Sequence, residues 1–242
     1  MSAFSANLSV LRRHFREVAR LVEAGRGSPA PCRIEPARNG EPTMRLSGNG
    51  PYLHSRFDPG REGRRLAESI PEAVGYVAFW GPGLFYEIEA LLERELVSRV
   101  LVIEPEAAML REALSARDLT AVLTDSRVHL LCGNEATASR AAAFVSETYL
   151  PVLHGAFKLE TPRARAEAAA ATAAAIRVAT RAQIDDLAIQ RRFSFRWFSN
   201  AVRNLLTLPP VTVELPRSER VVVAAARRDA RRGRARRRPV GN

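Results

Sequence analysis

Residues 74–105 begin Val74-Gly75-Tyr76-Val77-Ala78-Phe79-Trp80, then Gly81-Pro82-Gly83, then Leu84-Phe85-Tyr86-Glu87-Ile88-Glu89-Ala90-Leu91-Leu92, and they close on Val100-Leu101-Val102-Ile103-Glu104-Pro105. The run from Tyr76 to Trp80 is short and apolar throughout, as a strand covered on both faces is. Leu84, Ile88, Leu91 and Leu92 fall at i, i+4, i+7 and i+8, one face of a helix. The period changes from strand to helix across Gly81 and Gly83, and a second apolar run ends in an acid. Strand, glycine turn, helix and strand in that order make a βαβ unit.

In such a unit a ligand lies where the strands end and the helix begins. Gly81 and Gly83 let a backbone come close. Glu104, 23 residues after Gly81, stands where an acid accepts hydrogen bonds from a ribose. These three are candidate binding residues for a nucleotide or S-adenosylmethionine. The G-x-G is incomplete and Pro82 removes an amide donor, so the same residues also read as a turn whose glycines serve packing alone.

Upstream, Tyr52-Leu53-His54-Ser55-Arg56-Phe57-Asp58-Pro59 leads into a helix expected to reach about Ser69, with Asp58 as N-cap and Pro59 at the first helical position. His54, Ser55, Arg56 and Asp58 are candidate ligand residues, a polar pocket facing the Gly81 turn with Arg56 holding an anion. The alternative is a capped loop with Arg56 paired to Asp58 or Glu62. Before that, Cys32-Arg33-Ile34-Glu35 and Thr43-Met44-Arg45-Leu46 flank Asn39-Gly40, a hairpin signal because both turn residues tolerate positive φ. Leu8, Leu11, Phe15, Val18 and Val22 predict one helix over 5–24, ended at Gly25.

Downstream, the alternation continues. Helices are predicted over 106–116 and 135–145. A short element is predicted over 120–123, a third strand over 127–132 and a further strand over 156–159. The fold class is therefore α/β, a Rossmann-like parallel sheet with an N-terminal helix and β-hairpin, followed by a long helical arm. The arm opens at Pro162, is alanine-rich over 163–180 and runs to about Leu206 before Pro209-Pro210. Its second half carries Phe193, Phe195, Trp197, Phe198, Val202, Leu205 and Leu206, which require a burying partner. Val221-Val222-Val223-Ala224-Ala225-Ala226 reads as a first buried strand with no sheet to join.

The chain has 242 residues, 46% of them hydrophobic, which is globular composition. No apolar run spans a membrane, and residues 1–10 show no secretory signal, so a cytoplasmic protein is expected. Cys32 and Cys132 have no metal-ligand spacing and read as buried reduced thiols. His129 and His154 are lone histidines and read as structural. No catalytic or metal-ligating set emerges, and no cofactor is assigned. Residues 227–242, from Arg227 to Asn242, supply +7 of the net charge of +11 through eight arginines. This tail is expected to be disordered and to offer at most non-specific nucleic-acid binding.

The 52–62 stretch resembles the Y-L-H-S-x-Y-D-P-x-x-E-A motif of motility-associated factor (Maf) proteins. These are bacterial flagellin glycosyltransferases related to hydroxymethylpterin diphosphokinase-like (MptE-like) proteins. Phe79 to Tyr86 resembles that family's G-x-G-L-G-Y-H turn, with Phe85 in place of the third glycine and Glu87 in place of the histidine. Val102-Ile103-Glu104-Pro105 is similar to its acid-ended strand, and Trp197, Asn200 and Asn204 to its W-x-x-N-x-x-x-N segment. The resemblance covers about 5–226. It implies a Rossmann-like N-terminal region before a sialyltransferase-like central domain, which transfers a nonulosonic acid from a CMP-linked donor to flagellin Ser or Thr. That domain opens with a strand and G-A-G-P-S-L, whereas here Arg227-Arg228-Asp229 follows Ala226.

The resemblance thus implies a chain cut off, by truncation or frameshift, before its catalytic half. Reading the gene one base over is expected to restore G-P-S-L after Ala226. The expected organisation is 1–72 helix and hairpin, 73–160 Rossmann-like core, 161–210 arm, 211–226 start of the missing domain and 227–242 tail. The expected function is a non-catalytic module partnered by the missing central domain or by flagellin. The alternatives are a nucleotide- or S-adenosylmethionine-binding enzyme and nucleic-acid binding through the tail.

Overall fold

The computed structural model describes residues 2–25, 29–47, 49–72, 74–148 and 158–207. His154, residues 151–157, the 211–226 segment and the arginine tail lie outside them. Two compact units are distinguished, Met1–Ser194 and the residues from Phe195 on.

The first unit opens with helices α1 (Ala3–His14) and α2 (Arg16–Ala24), not with one helix over 5–24. The break is at Phe15, which leaves helical geometry at φ −137° and ψ 61°. Its cause is length: an unbroken helix over 5–24 would extend roughly 30 Å. The strands below have five or six residues, about 17–20 Å each. Breaking at Phe15 lets Leu8 and Leu11 of one piece and Val18, Ala19 and Val22 of the other enter a single core. The buried Asn7 amide ties α1 down, donating to the carbonyls of Leu114 (2.8 Å) and Arg117 (2.7 Å) and accepting from Leu119 N.

Strands β1 (Cys32–Pro36) and β2 (Pro42–Leu46) form the expected antiparallel hairpin, in register from Cys32↔Leu46 to Pro36↔Pro42. Of the two turn residues only Gly40 takes positive φ, at 89°. Asn39 instead accepts from Glu41 N through its side chain. Helix α3 (Pro59–Ser69) starts as read, with the Asp58 carboxylate accepting from Arg61 N at 2.8 Å.

The remaining elements are β3 (Tyr76–Trp80), α4 (Tyr86–Leu92), β4 (Arg99–Glu104), α5 (Ala107–Ala116), α6 (Thr120–Thr124), β5 (Val128–Cys132), α7 (Ala138–Glu147), β6 (Lys158–Glu160) and α8 (Ala166–Thr207). The sheet order is β5-β4-β3-β6, and every pairing is parallel. Tyr76 opposes Arg99 and Trp80 opposes Ile103, so the two strands of the βαβ unit lie side by side and co-directional. Val77, Phe79, Val100, Val102 and Val128 belong to the core shared with α1, α2, α4, α5 and α6. Tyr76, Ala78, Trp80, Leu101 and Ile103 belong to a second core with Ala141 and Val145 of α7 and Ala169 and Ile176 of α8. Burial on both faces is why these strands are uniformly apolar.

Helix α4 starts later than Leu84, because Phe85 sits in the left-handed region at φ 66°. The helix predicted from Glu135 begins at Ala138, after a 3-10 turn over Gly133–Glu135. In the second unit, Phe195, Trp197, Phe198, Leu205 and Leu206 of α8 are exposed. Among the described residues no helix is long and apolar enough to cross a membrane.

Candidate functional site

The chain leaves β3, crosses to β4 and β5 on one side, and returns to β6 on the other. The connection reverses at β3. Such a reversal leaves a crevice beyond the carboxyl ends of the strands, where open α/β sheets bind ligands. Here it is bounded by Gly81 after β3 and Glu104 at the end of β4.

The turn that forms one wall is set by backbone geometry. Gly81 and Gly83 have φ of 61° and 69°, a conformation open to glycine and costly to other residues. The sequence reading of both as turn glycines is thus matched by their geometry. Two amides of the turn are spent, however. Gly81 N donates to Ile103 O at 2.8 Å, continuing the ladder to β4. Leu84 N donates to His54 Nε2, also at 2.8 Å. Pro82 has no donor, and α4 has only seven residues.

His54 therefore lies at the turn, packed so closely that a Cβ on Gly83 would come within 2.6 Å of its Nε2. Accepting from Leu84 N makes it a neutral imidazole. Burial, and then the nearby Arg117 guanidinium, push its pKa down to about 3. Arg117 completes the clamp. It donates to Leu84 O and to Glu89, both at 2.6 Å, and lies 3.8 Å over the Tyr86 ring.

The other residues of the 54–58 stretch hold their own loop together. Ser55 Oγ accepts from Phe57 N and Asp58 N, Ser55 N donates to Glu62, and Asp58 caps α3. Arg56 is exposed and stacks over Tyr52, its carbon 5.0 Å from the ring centre. It pairs with neither Asp58 nor Glu62 among the described salt bridges, which corrects that reading. The four residues do not form one pocket: His54 turns inward to the glycine turn and Arg56 outward to Tyr52.

Glu104 is where the site is decided. It is 2% exposed, and its carboxylate accepts from Glu106 N and from Arg165 Nη1 at 3.0 and 3.2 Å. Burial raises its pKa, while Arg165 and the hydrogen bonds pull it partway back. The same guanidinium lies over the Trp80 ring at 4.7 Å. A Cβ on Gly81 would clash with the Arg165 guanidinium. Thr161 Oγ1 donates to Trp80 O, fastening the segment after β6 to the end of β3. The chain's own arginine thus fills the space between Gly81 and Glu104. Sequence reasoning missed Arg165 because it is 61 residues from its partner, in an arginine-rich stretch where nothing marks one arginine from the next.

Cys132 closes β5 opposite Glu104 in register. Burial and the Glu104 charge push its thiol up to about 12, and burial pushes Cys32 up to about 11. Both are buried and free, as expected of inert thiols. No group of three or more His, Cys, Asp or Glu suited to a metal ion occurs among the described residues.

No family model matches the chain. It is 28% identical over 138 residues to an uncharacterized protein of Treponema pallidum (strain Nichols), a match covering 53% of this chain and 46% of that protein. Among solved structures it is similar to the Maf glycosyltransferase from Magnetospirillum magneticum AMB-1, with a TM-score of 0.52 at 13% identity. That alignment covers 73% of this chain and 35% of the other. The likeness is one of fold, and the chain spans less than half of each of these two proteins.

Proposed function

We propose that this chain is a non-catalytic, Rossmann-like module of a glycosyltransferase-type protein, acting by docking to a partner domain and not by turning over a substrate. The observation that carries the reading is the Arg165 guanidinium. It lies in the crevice where a nucleotide ribose would meet Glu104. A ligand there would have to break a buried ion pair and displace a cation stacked on Trp80. The exposed apolar end of α8 supports the docking half of the proposal. The partner is the central glycosyltransferase domain of a longer protein of this kind, or flagellin. Both partners rest on the motif resemblance and on the Maf-like fold.

Calorimetric titration with S-adenosylmethionine and with a CMP-linked nonulosonic acid tests the reading. No heat at millimolar ligand is expected. Saturable binding of either ligand, lost in Gly81→Val, would overturn it. That result would establish the second reading, a nucleotide-binding enzyme using Gly81, Gly83 and Glu104, which the switch-point position of these residues favours.

A further inference from the structure

The hairpin sets two like charges against each other. Arg33 of β1 and Arg45 of β2 are register partners, and like charges directly opposite one another destabilise a pair of strands. The chain after Pro51 then runs beside β2. Tyr52 forms an antiparallel bridge with Arg45, and Leu53 N donates to Met44 O. Arg33, Arg45 and Tyr52 therefore stand in one row across three neighbouring segments.

The row is organised around the Tyr52 ring, whose hydroxyl donates to Glu35 at 2.6 Å. The Arg45 guanidinium carbon lies 5.2 Å from the ring centre and that of Arg56 5.0 Å. Arg45 Nε donates to Gly50 O, which leaves its two terminal nitrogens for another acceptor. Arg38 N donates to Arg56 O at 2.8 Å, bringing a fourth arginine to the rim. Arg33, Arg38 and Arg56 are exposed and Arg45 is half-buried. None of the four meets a carboxylate among the described salt bridges. Elsewhere the fold supplies the acid: Arg117 has Glu89, Arg127 has Asp125 and Arg165 has Glu104.

The structure assigns to this face the docking of an acidic segment of a partner protein, whose carboxylates accept from the guanidiniums of Arg33, Arg45 and Arg56. A guanidinium suits this because its planar fork of donors matches both oxygens of a carboxylate. Arginine and tyrosine are also the residue types that carry protein–protein contacts. Two acids within the patch favour a protein over a nucleic acid. Glu35 holds the Tyr52 hydroxyl, and Glu41 accepts from the Asn39 side chain at the hairpin turn. An unbroken row of phosphates would be brought against both, whereas a protein segment can place uncharged residues opposite them. The inference rests on the docking reading above and adds the chemistry that the partner brings.

The test is fluorescence anisotropy of the full chain, at low ionic strength, with a labelled peptide of alternating glutamate and serine. A twin peptide with glutamine for glutamate and a labelled oligothymidylate are run beside it. Saturable binding of the glutamate peptide and none of its twin is expected. The triple variant Arg33→Gln, Arg45→Gln, Arg56→Gln should weaken binding about tenfold or more, since surface ion pairs are weak singly and add over three. The control removes the same charge from exposed arginines on α1, α2 and α8, as Arg13→Gln, Arg16→Gln, Arg177→Gln, and should stay within about twofold of the parent. The tail from Arg227 on is common to every variant, so it cannot produce the difference. If the triple variant does not fold, Arg33→Gln with Arg56→Gln, which spares the Arg45 bond to Gly50, should still weaken binding several-fold at an unchanged melting temperature. Equal weakening in the patch and control variants overturns the inference, as does binding that none of them alters or a failure of the glutamate peptide to bind. Oligothymidylate bound more tightly than the peptide, and lost in the patch variant, overturns it in favour of a nucleic acid. Saturable S-adenosylmethionine binding lost in Gly81→Val would instead sink the docking reading itself, so the two failures are told apart.

Discussion

Arg165 and Glu104 show how one side chain settles the character of a site. Arg165→Ala would leave Glu104 2% exposed and without its partner cation. Such a loss costs about 3–5 kcal/mol, and the double variant with Glu104→Gln should recover much of it. Urea midpoints of the three proteins check this. The pH dependence follows from the raised pKa of Glu104. Stability from this group is present below its unfolded value and falls as pH rises through its folded value. Arg165→Ala should make that fall larger, because the charge that pulls the pKa back is gone. His54 works in the opposite direction. Its folded pKa of about 3 lies below the ordinary 6.5. Its contribution is therefore present above pH 6.5 and lost on acidification toward 3, at about 1.4 kcal/mol per pH unit. His54→Gln, which keeps an acceptor for Leu84 N, should remove that slope from unfolding curves taken between pH 4 and 7. Phe85 carries a different conflict. It is 1% exposed yet left-handed at φ 66°. Phe85→Gly would relieve about 1–2 kcal/mol of backbone strain and give up about 3–5 kcal/mol of buried aromatic packing. Net destabilisation is expected in thermal melts, and a gain in stability would show that the strain outweighs the packing.

Among the elements, α3 and α4 meet most closely at Gly63. A Cβ there would sit 2.6 Å from both the carbonyl carbon and the Cβ of Tyr86. Backbone cannot yield as a flexible side-chain tip does, so Gly63→Ala should force the helices apart. A loss of about 1–3 kcal/mol is expected despite the better helix propensity of alanine. Chemical denaturation measures it, with Gly40→Ala as the control for a glycine whose added Cβ meets nothing but whose φ is 89°. The break between α1 and α2 belongs to the same scale. The apolar spacing from Leu8 to Val22 is continuous, and nothing local marks Phe15 as an end. The long arm shows the reverse, since Pro162 and the alanines announce it, a 3-10 turn over Arg163–Arg165 leading into α8 at Ala166 and the end falling at Thr207 beside the expected Leu206. Composition over 40 residues is a strong local signal, while a bend imposed by the width of a sheet is not.

Across the molecule, the two thiols report on the integrity of the first unit, since both belong to its larger core. Neither should react with a thiol reagent under native conditions except through unfolding, and both should react in denaturant. Labelling of either at a rate independent of stability would place it outside the core. The fold itself was legible in the sequence, because its signals are local. Apolar runs of strand length, the period change across Gly81 and Gly83, Asp58-Pro59 and Asn39-Gly40 each act within a few residues, and together they determine a parallel α/β sheet with a hairpin and an arm. The candidate site was legible only as positions. That Gly81 and Glu104 would share a crevice follows from the βαβ unit. That Arg165 would fill it, His54 spend its acceptor on Leu84 N, and Arg56 turn out to Tyr52 depended on contacts between residues far apart in the chain. Periodicity and turn chemistry report where a strand ends, whereas the occupant of the space beyond it is chosen by packing, which only the tertiary structure decides.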